Sequence, residues 1–264
     1  MARGPLRETI RLSWIRLHAA SYWRYYEWKR GLAEPELALL PALCSREGLS
    51  VDIGANIGLY SFHLLNLSGS VIAFEPLPPM ANVLRKAYRR SGARYRLEQF
   101  ALSDREADVQ IRMPRHNFGY STMEPANVLE GKVDTSDIVT FDIHTRCLDT
   151  YKMDNIAFIK IDVEGHEESV LLGAKETLVR CRPSVLVEVE DCHKPGAVAS
   201  IHEFMTGLGY GAYFLKDHSL RPFAEFNLAT QQDRKRPENY IRNFLYLTED
   251  AKQRVEDLLS KPKR

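Results

Sequence analysis

An acidic, glycine-rich stretch, VDIGANIG at residues 51–58, is the first place in the chain where residue types and spacing suggest chemistry. Asp52 precedes Gly54 and Gly58, and the stretch lacks both the lysine of a phosphate-binding loop and the G-x-G-x-x-G spacing of a dinucleotide site. A carboxylate at the mouth of such a turn would repel a diphosphate but would suit a positively charged ligand. We therefore predict that this turn, including Asn56, binds a cationic ligand without phosphates. The alternative is a turn whose glycines serve only close packing.

Two further stretches indicate that this ligand contains a nucleoside. Glu75 ends the next predicted strand, where an acidic side chain can accept hydrogen bonds from two ribose hydroxyls. ALSD at residues 101–104 closes the third strand, and there Ala101, Leu102 and Ser103 could hold an adenine ring. A ligand with a ribose, an adenine and a positive charge but no phosphate matches S-adenosylmethionine, which we predict as the cofactor.

A charged stretch, KIDVEGHE, offers groups that could remove a proton from a methyl acceptor. A spacing of two along a strand places Lys160, Asp162 and Glu164 on one face. His166 is a candidate general base because the histidine pKa lies near neutrality. Glu188, near the end of the next predicted strand, either reaches the same pocket or is a structural carboxylate.

The same stretch also has a metal-binding interpretation. Asp162, Glu164 and His166 could supply the oxygen and nitrogen ligands that divalent ions use. Lys160 would compete for these carboxylates, so we predict that no metal is bound.

Strand and helix patterns alternate from residue 49 onward, and the elements that they predict must position these groups. Such alternation predicts an α/β fold, with a mostly parallel sheet and helices on both faces. Alternating segments at 107–113 and 138–145 predict two more strands around an irregular insert at 114–137. The strands predicted for the main sheet are residues 50–53, 71–75, 95–102, 156–163, 183–190, 210–215 and 243–247.

The N-terminal segment differs in character from the rest of the chain. Leu6, Ile10, Trp14 and Leu17 form a predicted helical stripe, and a basic, aromatic cluster follows at residues 22–28. We expect this segment to be a helical cap over the site or an oligomer contact, with attachment to a membrane surface as the alternative. We divide the chain into this N-terminal helical segment (1–48), a main domain (49–250) and a C-terminal helical tail (251–264).

The composition argues against several classes of protein. The chain has 264 residues, of which 44% are hydrophobic, and its 36 Lys and Arg nearly balance 35 Asp and Glu. No global charge therefore favours nucleic acid or an anionic membrane. The four cysteines form no metal-ligand pattern and are typical of reduced thiols in a cytosolic protein. With no apolar run long enough to span a membrane, we predict a cytoplasmic protein.

Together these motifs resemble the signature run of the FkbM family of S-adenosylmethionine-dependent methyltransferases. VDIGANIG, the FEP of residues 74–76, ALSD, the LD of residues 148–149 and IKIDVEGHE carry the resemblance, which extends over about residues 45–250. It implies a class I methyltransferase (Rossmann-like) fold, with a seven-stranded, mostly parallel sheet whose last strand is antiparallel. It also implies methylation of a hydroxyl on a sugar, glycolipid, polyketide or other natural product.

The resemblance also implies roles for individual residues. Asp162 is expected to face the methionine part of the cofactor or the acceptor hydroxyl, and Lys160 to keep that carboxylate ionised or to contact the substrate. Pro76 of FEP is expected beside the cofactor. The family has a patch similar to HNFGYSTM at 116–123, so Tyr120 and Ser121 are expected to border the active site and bind substrate. Substrate choice is expected to depend on this insert and on the N-terminal cap.

A nucleic-acid methyltransferase and a non-catalytic module that binds S-adenosylmethionine are the alternatives. The sequence contains neither a DPPY or NPPY run for base amino groups nor a Pro-Cys pair for carbon methylation, and its charge is balanced. An NAD-linked oxidoreductase would need different glycines. We expect a small-molecule or glycan acceptor and no nucleic acid; the sequence does not identify the acceptor.

Overall fold

The computed structural model describes residues 5–30, 34–114, 121–125, 127 and 137–261. The strands of a central sheet end at the candidate site. Its strands are β1 (Leu49–Ile53), β2 (Ser70–Phe74), β3 (Tyr95–Glu98), β7 (Ile156–Ile161), β8 (Ser184–Glu188), β9 (Gly211–Lys216), β10 (Ser219–Pro222) and β11 (Asn243–Leu247). They lie in the order β10-β9-β11-β8-β7-β1-β2-β3. A second sheet, in the order β4-β6-β5, contains β4 (Ala101–Leu102), β5 (Ala107–Pro114) and β6 (Ile138–Arg146).

The mostly parallel sheet predicted from the sequence is confirmed. Neighbouring strands from β3 to β8 are parallel, and the last strand, β11, is antiparallel between β8 and β9. The central sheet has eight strands in the described residues, so the prediction of seven was wrong by one. The chain turns at Asp217 and His218, with φ of 49° and 57°, and returns as β10 against β9. β10 has four residues and none of them is buried, so it carries no alternating pattern that would reveal it.

The third predicted strand, residues 95–102, is in fact two strands in different sheets. β3 ends at Glu98, and the chain leaves the central sheet at Gln99 and Phe100 before β4 pairs with β6. The strands predicted at 107–113 and 138–145 are confirmed as β5 and β6, which pair antiparallel over eight residues. Within the described part of the insert, Thr122 forms a bridge with Arg112 of β5.

Helices cover both faces of the central sheet, as the alternating pattern predicts. The central strands are almost wholly buried and supply Val, Ile and Leu to a core on each face. The helices are α1 (Pro5–Arg30), α2 (Leu40–Leu43), α3 (Leu59–Leu67), α4 (Pro78–Ala87), α5 (Glu167–Leu172), α6 (Lys175–Cys181), α7 (Ala197–Gly207), α8 (Leu228–Gln231) and α9 (Glu249–Leu259). Helices α5, α6 and α7 pack on one face of the sheet, and α2, α3 and α9 on the other. The predicted C-terminal tail thus includes a helix, α9, that buries Ala251 and Val255 in the main core.

The buried face of α1 is not the one predicted. Ile10, Trp14 and Leu17 are 59%, 38% and 68% exposed, whereas Ile15 and Trp23 are buried. The segment carries two apolar stripes, and the one that includes Ile15 packs on α3 and α4. Helical spacing fits both stripes, so only docking selects between them. In the described residues, no helix is both long and apolar enough to cross a membrane.

Candidate active site

The cleft lies where the winding of the central sheet reverses. From β1 the chain proceeds through β2 and β3 on one side and through β7 and β8 on the other, so the carboxyl ends of β1 and β7 flank a crevice. A cleft opens there, with apolar side chains and a few polar groups in its wall. Its wall consists of Ile53, Gly54, Asn56, Phe74, Glu75, Pro76, Phe100, Ala101, Leu102, Ile111, Ser121, Met123, Asp162, Val163 and Glu164. We call it the strand-end cleft.

Glu75 connects the first turn to the end of β2. It is 4% exposed, and its Oε2 accepts the Asn56 amide N–H at 2.8 Å while Oε1 accepts the Leu77 amide N–H at 2.9 Å. Burial raises the pKa of Glu75 to about 7, although both backbone hydrogen bonds favour the charged form. Each carboxylate oxygen has two acceptor sites, so Glu75 can hold the turn and still accept hydroxyl hydrogen bonds from the cleft.

Apolar side chains form the slot beside Glu75. Ala101 and Leu102 lie there as predicted for an adenine-binding wall, and Phe100, Ile111 and Met123 complete it. The guanidinium carbon of Arg146 lies 3.8 Å from the centroid of the Phe100 ring. Phe100 was not predicted as a site residue, although it directly precedes ALSD. Ile111 and Met123 come from the second sheet and the insert, which no local pattern connects to the cleft.

The two glycines of the first turn are required mainly by close packing. Gly54 has φ of +77°, and a Cβ there would lie 1.9 Å from the carbonyl oxygen of Asp162. Gly58 has φ of +84°, and a Cβ there would lie 2.7 Å from the Tyr88 ring. Gly54 still borders the cleft, whereas Gly58 is absent from the cleft wall and packs on α4. Gly58 thus faces protein side chains, and its predicted contact with the cofactor stays a prediction.

A second cavity adjoins the first at Gly54, Asn56 and Asp162. We call it the cap cavity because α1 forms one wall. Its lining consists of Arg11, Trp23, Tyr26, Glu34, Asp52, Gly54, Ala55, Asn56, Ile57, Leu59, Tyr60, Lys160 and Asp162. Trp23 and Tyr26 belong to the aromatic cluster of the segment expected to cap the site, whereas Arg11, Glu34 and Tyr60 were not predicted as individual site residues.

Asp52 and Lys160 form the floor of the cap cavity from adjacent strands. They are register partners between β1 and β7, so their side chains share one face of the sheet. Burial raises the pKa of Asp52 to about 6, while a 2.6 Å hydrogen bond from Ser61 and the nearby ammonium of Lys160 oppose the rise. Only 2% of Asp52 is exposed. An acid buried to this extent favours a cationic ligand above it.

The Lys160 ammonium interacts with residues of β8 and β11. Its Nζ donates to Asn243 Oδ1 at 3.2 Å and lies 3.8 Å from Glu188 Oε2. Burial by itself lowers the pKa of Lys160, but the carboxylates of Asp162 and Glu188 outweigh burial and raise the pKa above its usual value. Glu188 also pairs with Arg242 at 3.3 Å. Glu188 is therefore positioned behind Lys160 and is absent from both cavity walls.

Asp162 lies at the junction of the two cavities. Burial and the neighbouring Glu188 carboxylate raise its pKa well above the usual value, against the effect of Lys160. The Asp162 amide N–H still donates to the Ile53 carbonyl at 3.1 Å, which fixes the end of β7 against β1. Among the predicted catalytic residues, Asp162 alone borders both cavities in the described part of the structure.

The prediction that Glu164 shares a face with Lys160 and Asp162 was wrong. β7 ends at Ile161, and Glu164 adopts φ of 53° before Gly165 at 108°. This turn brings Glu164 Oε2 to 3.3 Å from His193 Nε2. Thr122 Oγ1 and Asn127 Nδ2 donate to the Glu164 carbonyl at 2.7 and 3.0 Å, so the insert is tied to the turn.

His166 and Ser103 lie outside both cavities. His166 Nε2 is 2.9 Å from Ser103 Oγ, and both line a separate cavity that also contains Asp104 and Ser169. Burial lowers the pKa of His166. His166 thus borders a different cavity from Asp162, and its assignment as general base stays a prediction. Within the described residues, Asp162, Glu164 and His166 do not form a group that could hold a metal ion. Ser121 lies on the strand-end cleft, and Tyr120 lies outside the described residues.

A different group of side chains has metal-ligand chemistry. Ligand atoms of Glu190, Cys192 and His193 lie within 4.8 Å of one another. Arg234 Nη2 is 2.7 Å from Cys192 Sγ and 3.8 Å from a Glu190 oxygen. A guanidinium therefore already supplies positive charge to this group.

Comparison with known proteins agrees with this geometry. A family model described as the methyltransferase FkbM domain matches residues 52–211. The curated protein 31-O-demethyl-FK506 methyltransferase FkbM of Streptomyces tacrolimicus is 29% identical over 188 residues, which cover 60% of this chain and 71% of that protein. AMB antimetabolite synthetase AmbE of Pseudomonas aeruginosa is 25% identical over 200 residues, which cover 61% of this chain but only 9% of that protein.

The solved structure of methyltransferase FkbM from Methylobacillus flagellatus KT has the same fold. It matches with a TM-score of 0.50 and 18% identity, over 76% of this chain and 44% of that one. The chain thus spans less than half of this structure and less than a tenth of AmbE. The family model begins at Asp52 and includes both strand ends that flank the cleft, and it covers more than half of the chain. This chain therefore belongs to the FkbM methyltransferase family.

Proposed function

We propose that this protein is an S-adenosylmethionine-dependent methyltransferase that methylates a hydroxyl group of a small molecule or glycan. The observation that carries the proposal is the set of carboxylates at the ends of β1, β2 and β7. Asp52, Glu75 and Asp162 have raised pKa values because they are buried. Buried carboxylates are costly unless a positive charge or hydrogen-bond donors compensate them. The cofactor would bring a sulfonium, an ammonium and two ribose hydroxyls to these groups.

The residues of the two cavities fit the parts of this cofactor. The apolar slot formed by Phe100, Leu102 and Ile111 would hold the adenine, and Glu75 would accept the ribose hydroxyls. The acidic floor of the cap cavity, at Asp52 and at Asp162, would face the cationic end. A diphosphate would place negative charge against the same carboxylates, which favours this cofactor over NAD.

When bound, S-adenosylmethionine supplies a methyl group that is already activated by the sulfonium. The protein therefore has to orient the acceptor, remove its proton and exclude water. Asp162 is the side chain we assign to the acceptor proton, because it lies at the junction of the two cavities and its raised pKa makes the ionised form a stronger base. Lys160 would keep this carboxylate oriented from the floor. The name of the Streptomyces relative specifies a 31-O-demethyl substrate, which supports oxygen as the methylated atom.

Calorimetry with S-adenosylhomocysteine and with NAD tests the cofactor assignment. We expect micromolar binding of S-adenosylhomocysteine, a typical strength for small-molecule sites, and no measurable heat with NAD. Preference for NAD would refute the proposal.

A mass-spectrometric screen tests the reaction. Acceptors are sugars, glycolipids and polyketide alcohols, each paired with an analogue in which the hydroxyl is replaced by an amine, and the signal is the mass gain of one methyl group. We expect methylation of hydroxyls, and Asp162→Asn should lower turnover by about 100-fold or more while S-adenosylhomocysteine binding remains. Asp217→Asn, in the exposed β9–β10 turn, is the matched control. Methylation of the amines alone would disprove the assignment of oxygen, and unchanged turnover in Asp162→Asn would remove this residue from the mechanism.

A further inference from the structure

Helix α1 forms one wall of the cap cavity, although it lies outside the residues that match the family model. Ile15 is fully buried on the inner face of the helix, and Trp23 is 2% exposed. His63 Nε2 of α3 lies 2.7 Å from Glu27 Oε1, which adds a polar contact to the docked helix. The helix is therefore seated on the methyltransferase domain through its own apolar stripe, with Arg11 facing the cavity.

The charges around the cap cavity are unevenly distributed. Glu34, Asp52 and Asp162 supply carboxylates to its wall, and two cations, Arg11 and Lys160, line it among the described residues. Lys160 is 1% exposed and interacts with groups beneath the floor, where Asn243 and Glu188 lie. Its ammonium also lies 5.1 Å from the centroid of the Tyr60 ring. An anionic group of a ligand in the cap cavity would therefore contact the guanidinium of Arg11 rather than the ammonium of Lys160.

Arg11 is oriented by a tyrosine that follows the kink of α1 at His18, where φ is −145° and ψ is 51°. Its Nε donates to the Tyr22 hydroxyl at 3.0 Å. A guanidinium presents its donors in a planar fork that matches the two oxygens of a carboxylate. The cavity wall therefore contains both acids that suit a cation and a guanidinium that suits a carboxylate.

We propose that Arg11 binds the α-carboxylate of the methionine part of S-adenosylmethionine, so that α1 is part of the cofactor site. This inference rests on the cofactor proposed above. The amino acid end of the cofactor is a zwitterion, with an ammonium for the acids of the floor and a carboxylate for Arg11. The adenosine part would contact only the strand-end cleft, so its binding would not depend on Arg11.

Calorimetry of the full chain with two ligands tests this division. S-adenosylhomocysteine contains the amino acid end, and 5′-methylthioadenosine lacks it. Arg11→Ala should weaken S-adenosylhomocysteine binding by about 10- to 100-fold, the usual effect of losing a charged hydrogen-bonded pair. Binding of 5′-methylthioadenosine should change by less than about twofold, since the adenosine contacts remain.

Two further variants control for folding and for helix charge. Arg11→Lys keeps the aliphatic stem and the charge but not the planar fork, so it should show an intermediate loss for S-adenosylhomocysteine alone. Arg24→Ala removes an exposed arginine of the same helix and should bind both ligands like the wild type. Circular dichroism melting confirms that each variant is folded.

The possible failures are distinguishable. If the wild type binds neither ligand, the proposed cofactor is wrong and the role of Arg11 with it. If the wild type binds both and Arg11→Ala keeps full affinity for S-adenosylhomocysteine, the role of Arg11 alone is refuted. An equal loss for the two ligands would also refute it, because it would indicate that α1 supports the whole site rather than the carboxylate.

Discussion

Replacement of Asp52 by asparagine should stabilise the fold while it weakens the site. Asp52 is 2% exposed, and burial raises its pKa from an ordinary value of 3.8 to about 6. The unfolded chain therefore ionises this carboxyl more easily than the folded protein does. The side-chain amide introduced by Asp52→Asn would bear no charge, and its carbonyl can still accept the hydrogen bond that Ser61 donates to Asp52 Oδ2.

The size of this effect follows from the difference between the two pKa values. Each pKa unit corresponds to about 1.4 kcal/mol, so ionised Asp52 destabilises the folded state by about 3 kcal/mol. The contribution of Asp52 is most favourable below pH 3.8, where both states are protonated, and it is lost as the pH rises through about 6. The advantage of Asp52→Asn should accordingly be about half as large at pH 5 as at pH 8.

Urea denaturation of both proteins between pH 4 and pH 8 measures this advantage. Asp217→Asn, at an exposed position whose φ of 49° asparagine tolerates, should show no comparable trend. The Asp52→Asn variant should also bind S-adenosylhomocysteine more weakly, because the acid that faces its ammonium is gone. A stability difference that is independent of pH, or a loss of stability at pH 8, would show that burial of this carboxylate is not what raises its pKa.

Three more predictions follow from the site. Gly54→Ala should destabilise the protein by more than about 3 kcal/mol, because the new Cβ would lie 1.9 Å from the Asp162 carbonyl oxygen. Gly196→Ala is the control: its φ of +83° is similar, but its Cβ would have no neighbouring atom within 4 Å, so it should show only the backbone strain. Similar Cm values for the two alanine variants in urea would contradict this steric argument. Glu75→Gln should weaken adenosine and S-adenosylhomocysteine binding by about 10-fold or more through weaker hydrogen bonds to the ribose hydroxyls, as measured by calorimetry; equal affinities would remove Glu75 from the ribose site. Binding of S-adenosylmethionine at pH 6 should release more protons than binding of S-adenosylhomocysteine, because a sulfonium near Asp52 and Asp162 lowers their raised pKa values. Calorimetry in phosphate and in Bis-Tris, which both buffer near this pH and differ in ionisation enthalpy, measures the difference; equal proton counts would place the sulfonium away from these acids.

Local sequence patterns were sufficient wherever a strand and its following turn determine the position of a side chain. Buried strands alternate with helices along the chain, so the parallel sheet and the edge at which its strands end were predictable. Asp52 and Glu75 lie at the ends of adjacent strands, which places them on two adjoining cavities at the same edge of the sheet. The chemistry of the proposed cofactor followed from these two acids and from the absence of a phosphate-binding pattern.

Side-chain direction beyond a strand end was not predictable in the same way. The spacing of two that relates Lys160 to Asp162 fails at Glu164, where a left-handed backbone turns the side chain toward His193. One residue further, Gly165 changes the path again, and His166 consequently faces Ser103 instead of Asp162. Strand periodicity ends with the strand, and the dihedral angles of two residues then decide which carboxylate or imidazole enters the site.

The residues of the two cavities likewise fall into two groups: those that local sequence predicts and those that only the tertiary structure brings together. The sequence by itself determined the strand ends, the acids that they carry and the family to which the motifs belong, because these depend on contiguous residues. Tertiary structure alone decided that Arg11, Trp23 and Glu34 meet Asp162 across the cap cavity. More than 100 residues separate these groups from Asp162, and α1 has two apolar stripes of equal helical spacing. Burial of one stripe against α3 and α4 selected the face that packs on the domain, and with it the side chains that α1 presents to the site.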